Sequence, residues 1–443
     1  MRRIYEPHAY GRGPVEACWW DRTVRRPEFD GPLTEEARAD VAIVGAGYTG
    51  LSAALHLAQA GAHVVVVEAG RIAFGASGRN GGFCCLGGAK ASDGAILRRF
   101  GSQALDEWNA AQREAIALVQ QLLQENGIEA DVHSRDGEVM LAHRPRDLAA
   151  LRDEQAVFES AHGLRCELLT PSELASRGMA SPAFHGGLLY PMGFALNPLK
   201  YALGLAKAAR RHGAILHEDS PVLGIERQAD TYRLRTQDGC LVARRLIVAT
   251  NGYSSEDVPP WMAGRYLPAQ SAILVTRQLT ESELSAQGWT TDLMAYDTRN
   301  LLHYFRLMPD RRFLFGMRGG VLAGPAAQAR MRAMLRRDFE RMFPAWSRVE
   351  TPFYWSGLVC LSRDLVPHVG PIGDWPSAWA GFAYHGNGVA MGTFAGRLLA
   401  DLALGRGRSP AVMAAPARPI PGGAWRRLVL PVAYAWYGLR DRF

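Results

Sequence analysis

The sequence predicts an α/β protein of two domains, one on a parallel sheet and the other an α+β domain on a mostly antiparallel sheet. A chain of 443 residues is too long for a single compact core. An apolar strand that starts at Ala39 runs into a glycine turn and a helix, as in a buried parallel sheet. The aromatic strands on either side of Pro309-Asp310 are instead joined by a tight turn, as in an antiparallel sheet.

The turn after the first strand reads GAGYTG, with Gly45, Gly47 and Gly50 at the positions of a G-x-G-x-x-G motif. Gly45 allows a tight turn, Gly47 lets a pyrophosphate approach the backbone, and Gly50 lets the helix pack on the strand. A second apolar strand ends in Glu68, an acid at the spacing that binds ribose hydroxyls. This context predicts a Rossmann-like dinucleotide-binding domain, although the motif alone does not choose between NAD and FAD.

A glycine-rich stretch after the second strand favours FAD. From Gly70 to about Asp93 the chain has no helical or strand periodicity, and the segment FGASGRNGGF lies within this run. Such a run can wrap an extended ligand with its backbone N–H groups, and Arg79 would balance phosphate charge. An NAD domain would more often continue here into another regular crossover.

A third element near the C-terminus supports the same choice. Gly386-Asn387-Gly388 precede a predicted helix that ends at Gly405. The positive end of a helix stabilises negative charge, and a reduced flavin carries negative charge at N1. An NAD enzyme has no need for this element.

Together these motifs resemble the FAD-dependent D-amino-acid oxidase and glycine oxidase superfamily, and within it the gamma-glutamylputrescine oxidoreductase-like amine oxidases. The resemblance covers roughly residues 39 to 404. It implies that four parts of the chain contact FAD. The pyrophosphate would contact Gly45, Gly47, Thr49 and Gly50, and the adenosine end would contact Glu68, Arg71 and Val222, with Ala249 beside the cofactor. The path to the flavin would be lined by Ser77, Arg79, Asn80, Gly81 and Gly82, and the flavin itself would contact Gly386, Asn387, Gly388 and Val389.

Two residues near these motifs have open roles. Many relatives carry G-H-G-V where this chain has Gly386-Asn387-Gly388-Val389, so no family role passes to His385. His385 is a catalytic candidate, and a core or surface histidine is the alternative. Some relatives attach flavin through a late cysteine, and Cys360 lies in a comparable region. We expect noncovalent FAD, because buried unreactive cysteines are the commoner case.

Chain tracing predicts a discontinuous FAD-binding domain with an inserted substrate domain. The predicted ranges are 1–38 for an N-terminal extension, 39–100 with 190–255 and 346–404 for the FAD-binding domain, 101–189 with 256–345 for the substrate or cap domain, and 405–443 for a linker and docking helix. We expect substrate contacts at Tyr253, Tyr304, Arg306 and Trp355. Aromatic faces suit an amine-bearing chain and arginine suits a carboxylate, with ordinary core packing as the alternative for each residue.

Composition excludes several classes of protein. The formal net charge is +7, but 47 of the 50 basic residues are arginines scattered along the chain, which argues against a nucleic-acid-binding stripe. The six cysteines form no C-x-x-C pair, and we expect no metal. The N-terminus has no apolar signal region, and the late apolar run at 428–438 is too short to span a bilayer. We therefore expect a cytoplasmic protein without a transmembrane segment.

The resemblance implies an enzyme that oxidises a primary or secondary amine, either a polyamine derivative or an amino acid, by hydride transfer to FAD. The imine would hydrolyse to an aldehyde or keto acid plus ammonia or an amine, while O2 is reduced to H2O2. Two alternatives stay open: a dehydrogenase that passes electrons to a quinone or carrier protein, and a non-enzymatic flavin-binding or membrane-associated subunit. The sequence carries no prediction of the oligomeric state.

Overall fold

The structure is a computed structural model that describes residues 1–441, so the last two residues of the predicted 405–443 segment lie outside the described residues. In chain order the strands are β1 (Glu36–Val44), β2 (Val64–Val67), β3 (Phe83–Cys84), β4 (Glu138–Leu141), β5 (Glu167–Leu169), β6 (Gly187–Tyr190), β7 (Phe194–Ala195), β8 (Ile215–His217), β9 (Gly224–Gln228), β10 (Thr231–Arg235), β11 (Cys240–Val248), β12 (Leu267–Val275), β13 (Met294–Asp297), β14 (His303–Leu307), β15 (Phe313–Arg318), β16 (Phe353–Leu361), β17 (His368–Pro371) and β18 (Ala378–Phe382). The α-helices are α1 (Tyr48–Gln59), α2 (Asp93–Phe100), α3 (Ser102–Glu125), α4 (Asp147–His162), α5 (Pro171–Ser176), α6 (Pro198–Arg211), α7 (Glu281–Gln287), α8 (Pro325–Met342), α9 (Ala390–Ala403), α10 (Ala411–Ala414) and α11 (Val429–Arg440).

The first sheet contains the predicted nucleotide-binding strands. Its order is β17-β18-β11-β1-β2-β8, and all pairs from β18 to β8 are parallel. Alternate residues of β1 and β2 enter two different cores: Val41 and Ile43 pack with the helices α1 and α9, whereas Ala42 and Val44 pack on the other face. Burial on both faces explains why these strands read as continuous apolar runs.

The second sheet has eight strands in the order β16-β12-β15-β14-β13-β4-β6-β5. Every neighbouring pair is antiparallel except β13 with β4, which confirms the predicted mostly antiparallel sheet. One face packs on α8 through an aromatic core that includes Phe305, Phe313 and Phe339. The intervening side chains, such as Tyr304, point to the opposite face. The aromatic alternation in β14 and β15 therefore separates a core face from a face that can bind a ligand.

The predicted α/β class is confirmed, and one domain range needs a correction. The range 346–404 was assigned to the FAD-binding domain, but β16 pairs along its full length with β12 and forms an edge of the second sheet. The alternation of β16 is compatible with either sheet, and only pairing decides between them. The other predicted ranges stay a proposal. Within residues 1–441, no helix is long and apolar enough to cross a membrane.

Candidate active site

The glycine turn has the geometry that the motif predicts. Gly45 has φ +101°, and a Cβ placed there would lie 2.9 Å from the Ala249 carbonyl oxygen. A Cβ on Gly50 would lie 1.9 Å from the Gly45 oxygen, so only glycine lets α1 pack this closely on β1. Gly47 is the N-cap residue of α1 and lies against Ser77. The free N–H groups at the start of α1 form an anion-binding end.

A cavity of about 1010 Å³ begins at this turn and lies at the carboxyl ends of β1, β2 and β11. Its size is at the upper end of the range for ligand pockets. It is lined by most of the residues that we expected to contact FAD: Gly45, Gly47, Thr49, Glu68, Arg71, Ser77, Asn80, Val222, Ala249, Gly386 and Gly388. Gly50 and Gly82 line no cavity and act through backbone packing. We call this space the large cavity.

Glu68 lies at the wall of the large cavity with a fixed carboxylate. One carboxylate oxygen accepts a hydrogen bond from the Ala46 N–H at 2.8 Å, and the other accepts one from the Gly70 N–H at 3.2 Å. Burial raises the pKa of this carboxyl group above its ordinary value. The remaining lone pairs face the cavity, where they can accept hydrogen bonds from ribose hydroxyl groups.

The loop at 75–82 is folded onto the start of α1 by side-chain hydrogen bonds. Ser77 Oγ accepts a hydrogen bond from the Tyr48 N–H at 2.9 Å. Asn80 donates to the Ala76 and Ser77 carbonyl oxygens and accepts from the Gly82 N–H at 2.8 Å. The loop is therefore a preformed wall that runs from the large cavity to a second, smaller cavity beside it.

Arg79 does not have the environment that we expected. Its guanidinium donates to the backbone carbonyl oxygens of Phe74 and Ser356, and it packs against the Phe74 and Tyr253 rings. It does not line the large cavity. This environment disfavours the expected balance of phosphate charge by Arg79, because the guanidinium is already hydrogen-bonded to backbone carbonyl groups that hold the loop in place.

Two of the four expected substrate residues also support the loop instead of lining a cavity. The buried Arg306 guanidinium donates to the Gly81 and Leu196 carbonyl oxygens, each at 3.0 Å. Trp355 Nε1 donates to the Arg79 carbonyl oxygen at 2.7 Å. Burial lowers the pKa of Arg306 to about 9. Their polar groups already have backbone partners, and neither residue lines the large cavity or the smaller cavity beside it, so the expected substrate contacts are corrected for both.

Tyr253 and Tyr304 do line cavities. Tyr253 faces the large cavity, and its hydroxyl oxygen accepts from the Leu358 N–H at 3.2 Å. Tyr304 faces a second, smaller cavity and is hydrogen-bonded to Ser271 Oγ at 2.9 Å. The two tyrosines that we expected to contact the substrate therefore line different cavities.

The small cavity has a volume of about 310 Å³ and adjoins the large one. The two share part of their lining, including Asn80, Leu358, His385 and Gly386. The expected residues that line only the small cavity are Arg79, Gly81, Asn387 and Val389. A long ligand in the large cavity would therefore end where the small cavity begins.

Glu138 gives the small cavity a buried acid. It is 3% exposed and accepts a hydrogen bond from the Tyr190 hydroxyl group, and the Tyr296 hydroxyl oxygen lies 3.4 Å from the Tyr190 oxygen. Burial raises the pKa of Glu138 to about 7. A carboxyl group with this pKa can exchange a proton near neutral pH.

Arg318 gives the same cavity a cationic group. Within residues 1–441 its guanidinium has no hydrogen-bond or ion-pair partner, although burial lowers its pKa. A Cβ on Gly386 would lie 2.3 Å from Arg318 Nη2, so the glycine loop and the guanidinium are in close contact. Lys90 also lines the cavity, and burial lowers its pKa to about 8.

His385 lies between the two cavities, with both ring nitrogens in use. Nδ1 donates to the Gly88 carbonyl oxygen at 2.9 Å, and Nε2 accepts from the Ser362 N–H at 3.3 Å. Burial lowers its pKa to about 4, so the ring is neutral at physiological pH. Asn387 donates to the Leu86 carbonyl oxygen at 2.7 Å. Both side chains fix the loop at the junction of the cavities.

Cys360 lines the large cavity, but its thiol is protonated. Burial raises the pKa of the Cys360 thiol to about 12. Since the thiolate is the reactive form, this environment disfavours attack on a ligand.

Sequence reasoning missed Glu138, Tyr190, Tyr296, Arg318 and Lys90. Glu138 starts the apolar strand GEVML, and Arg318 ends the apolar strand FLFGMR. A single charge at the inward position of a buried strand was the available signal, because such a charge needs a partner or a function. The sequence could not show that these strands line one cavity.

These features define a dinucleotide-binding α/β protein whose ligand cavity is covered by a second sheet. A family model for FAD dependent oxidoreductases (DAO) matches residues 40–402, and the chain belongs to this family. It is therefore an FAD-dependent oxidoreductase, as the resemblance predicted.

Individual relatives agree with this assignment. Gamma-glutamylputrescine oxidoreductase of Escherichia coli K12 is 33% identical over 412 residues, which are 93% of this chain and 94% of the relative. Glycine oxidase of Pseudomonas aeruginosa is 26% identical over 389 residues, 86% of this chain and 98% of the relative. The solved glycine oxidase of Geobacillus kaustophilus has a TM-score of 0.70 at 20% identity, covers 86% of this chain and 99% of its own, and shows the shared fold.

Proposed function

We propose that the protein oxidises a primary or secondary amine that also carries a carboxylate, and that dioxygen accepts the electrons. The observation that carries this proposal is the pair of ionisable groups in the small cavity: a buried acid at Glu138 and, at Arg318, a guanidinium that has no partner within residues 1–441. An amine with a carboxylate offers one complementary group to each. The names of the relatives, gamma-glutamylputrescine oxidoreductase and glycine oxidase, refer to compounds of this kind.

FAD fits the large cavity because glycine backbone, a helix start and a fixed acid lie in the order that a dinucleotide needs. The first turn of α1 would hold the pyrophosphate, Glu68 the ribose, and the loop at Gly386 the ring end. When bound, FAD supplies a two-electron acceptor beside the small cavity. We propose that it is bound without a covalent link, since the Cys360 thiol is protonated.

Glu138 would prepare the amine for oxidation. An amine enters mostly as an ammonium ion, and only the neutral form has the lone pair that develops into the C=N bond. A carboxylate at Glu138 can take the ammonium proton, since the pKa of Glu138 is about 7. Tyr190 would hold the acid in position through its hydroxyl hydrogen bond.

Arg318 would orient the substrate through its carboxylate. A guanidinium binds a carboxylate through two parallel hydrogen bonds, which fixes direction as well as position. The second sheet would exclude water from the amine carbon. The amine loses a hydride from this carbon and a proton from its nitrogen, and together these two electrons and two protons convert O2 to H2O2. Water then hydrolyses the imine to a carbonyl compound and ammonia or an amine.

Anaerobic mixing with a panel of amines tests this function, with the loss of visible flavin absorbance as the readout. We expect carboxylated amines to bleach the flavin. Arg318→Met should raise their KM about 10- to 100-fold, the size of a lost charged hydrogen bond, and change the KM of an analogue without the carboxylate far less. Arg337→Met on the exposed face of α8 is the matched control.

Three results would contradict parts of the proposal. If no amine bleaches the flavin, the amine oxidation itself is wrong. If Arg318→Met affects both substrates equally, the carboxylate contact is wrong. If amines bleach the flavin but admission of air gives no peroxide, the acceptor is not dioxygen and the dehydrogenase alternative is favoured.

A further inference from the structure

The C-terminal segment carries an apolar surface that takes no part in the proposed reaction. Its exposed members recur at helical spacing on one side of the segment. They are Trp425 (75% exposed), Leu428 (61%), Val429 (54%), Val432 (72%), Trp436 (58%) and Leu439 (51%). The spacing of three, four and seven residues is that of a single helix face. We call these six residues the C-terminal apolar face.

The opposite side of α11 is fixed to the protein body. Leu430 is 3% exposed and packs with Leu267 and Ala269 of β12. Just before the helix, the buried Arg426 forms an ion pair with Glu256 at 2.6 Å and donates to the Tyr266 carbonyl oxygen. The segment is therefore attached along its inner side, and its apolar face is directed outward.

The far end of α11 is also fixed. The Asp441 carboxylate accepts from the Asn300 N–H at 3.0 Å and from its side-chain amide at 2.7 Å. Leu302, two residues further along, lines the small cavity. With both ends held, the apolar face cannot be buried by folding the helix back onto the same molecule.

We propose that the C-terminal apolar face binds the surface of a membrane that contains anionic lipids. Tryptophan is favoured at the boundary between lipid chains and head groups, and Trp425 and Trp436 lie toward the two ends of the face. Residues 405–440 contain no aspartate or glutamate. Four of their six arginines (Arg408, Arg418, Arg426 and Arg427) pair with acids elsewhere in the chain, and the exposed Arg406 and Arg440 have no ion-pair partner within residues 1–441. Apolar side chains on a segment with this charge are complementary to anionic head groups.

A second copy of the chain is a poorer occupant. A twofold contact would place this segment against its own copy, and residues 405–440 contain no acid that could pair with the exposed Arg440. Arg440 is exposed directly after Leu439, so it would face its own counterpart near such a contact.

Docking in this way would bring the small cavity near the lipid surface. The inner side of α11 carries Tyr434, which packs against the cluster of Leu267, Ala269 and Leu430. The Asn300–Leu302 turn links the end of the helix to the same wall. The inference does not depend on which amine is oxidised.

Vesicle flotation of the FAD-loaded full-length protein tests the proposal. Vesicles of phosphatidylcholine with about one third phosphatidylglycerol are compared with phosphatidylcholine alone. We expect binding to the anionic vesicles and at least about tenfold weaker binding for the double variant Val432→Glu/Trp436→Glu, since each change removes an apolar anchor. Arg440→Glu should weaken binding less, and added salt should weaken binding of the unmodified protein.

The control for added surface charge is Leu97→Glu/Val157→Glu, at two other exposed apolar positions. It should bind like the unmodified protein, and flavin content should be unchanged in all variants. Equal binding by the unmodified protein and the α11 double variant would overturn the proposal. A lack of binding to any vesicle would also overturn the proposal. This holds whether or not the protein forms concentration-dependent dimers that the double variant abolishes. Dimers of that kind would identify a second copy as the occupant.

Discussion

The large and the small cavity adjoin, but they are built from different parts of the chain. Around Gly45, Gly47 and Gly386 the large cavity is made of backbone that a side chain would fill. The small cavity owes its chemistry to Glu138 and Arg318, which lie on separate strands of the second sheet. A backbone-built site is sensitive to added volume, whereas a side-chain-built site is sensitive to the loss of one charge.

This difference assigns cofactor binding and substrate chemistry to different parts of the protein. In the proposed function, the glycine turns would bind phosphate and ring groups that every FAD molecule carries, so they need little variation. The side chains of the second sheet would contact the substrate, which differs among members of one fold. Substitutions in the two cavities should therefore fail in different ways: loss of flavin in the first, and altered kinetics with full flavin content in the second.

The largest effect is expected for Gly47→Val. A Cβ at this position would already lie 2.8 Å from Ser77 Oγ, and the valine methyl groups would fill the approach to the start of α1. We expect the flavin content of the purified protein to fall at least about tenfold, measured by visible absorbance. Gly31→Val is the control, because no atom lies within 4 Å of its Cβ position. A folded Gly47→Val protein with normal flavin content would contradict the assignment of the large cavity.

Glu138→Gln should leave the flavin bound and remove a proton acceptor. The pKa of Glu138 is about 7, so its carboxyl group is neutral below that pH and the rate should rise as the pH passes through 7. In the variant we expect kcat/KM to fall about 10²-fold and this ionisation to disappear from the pH profile. The exposed Glu281→Gln should change neither. An unchanged profile in Glu138→Gln would assign the proton transfer to another group.

His385→Asn should have a smaller effect, because we assign this residue to positioning. The substitution removes hydrogen bonds to Gly88 and Ser362, so kcat should fall about tenfold at most and the melting temperature should drop. The histidine is already neutral, with a pKa of about 4, so the pH profile between 6 and 9 should keep its shape. Loss of an ionisation from that profile would restore the catalytic role for His385.

The smallest effect is expected for Cys360→Ser. Since burial keeps the thiol protonated, we expect acid precipitation to release the flavin into the supernatant from both the unmodified protein and the variant. Cys240→Ser, away from both cavities, is the control. Flavin that stays in the pellet of the unmodified protein and leaves that of Cys360→Ser would show a covalent link.

The sequence predicted the backbone-built cavity well, because the residues that form its glycine turn are neighbours in the chain. A glycine at the end of a strand, two more at fixed spacing and an acid after the next strand all lie within one continuous stretch, Ala39 to Glu68. The φ of +101° at Gly45 and the close approach of Gly50 to its carbonyl oxygen confirm that each glycine is needed for a steric reason. Steric needs of this kind leave a trace in the local sequence.

The side-chain-built cavity was not predicted, because its parts are distant in the chain. Arg306 and Arg318 belong to neighbouring strands, and both are arginines that could face a carboxylate. Strand pairing directs Arg306 to the backbone of Gly81 and Leu196, whereas Arg318 has no side-chain partner in the part of the chain that the structure describes. Nothing in the local sequence distinguishes the two residues, since an arginine next to apolar residues looks the same in either role.

The sequence by itself determined the Rossmann-like domain, because glycine geometry and apolar periodicity are set by neighbouring residues, and the resemblance of its motifs implied FAD and the family. The tertiary structure decided which charged side chains are bound by the protein's own backbone and which line a cavity. It joined β16 to the second sheet, bound Arg79 and Arg306 to carbonyl groups, and raised the pKa of Glu138 by burial. Each of these outcomes depends on which distant groups share a low-dielectric interior, and the order of residues does not specify that directly.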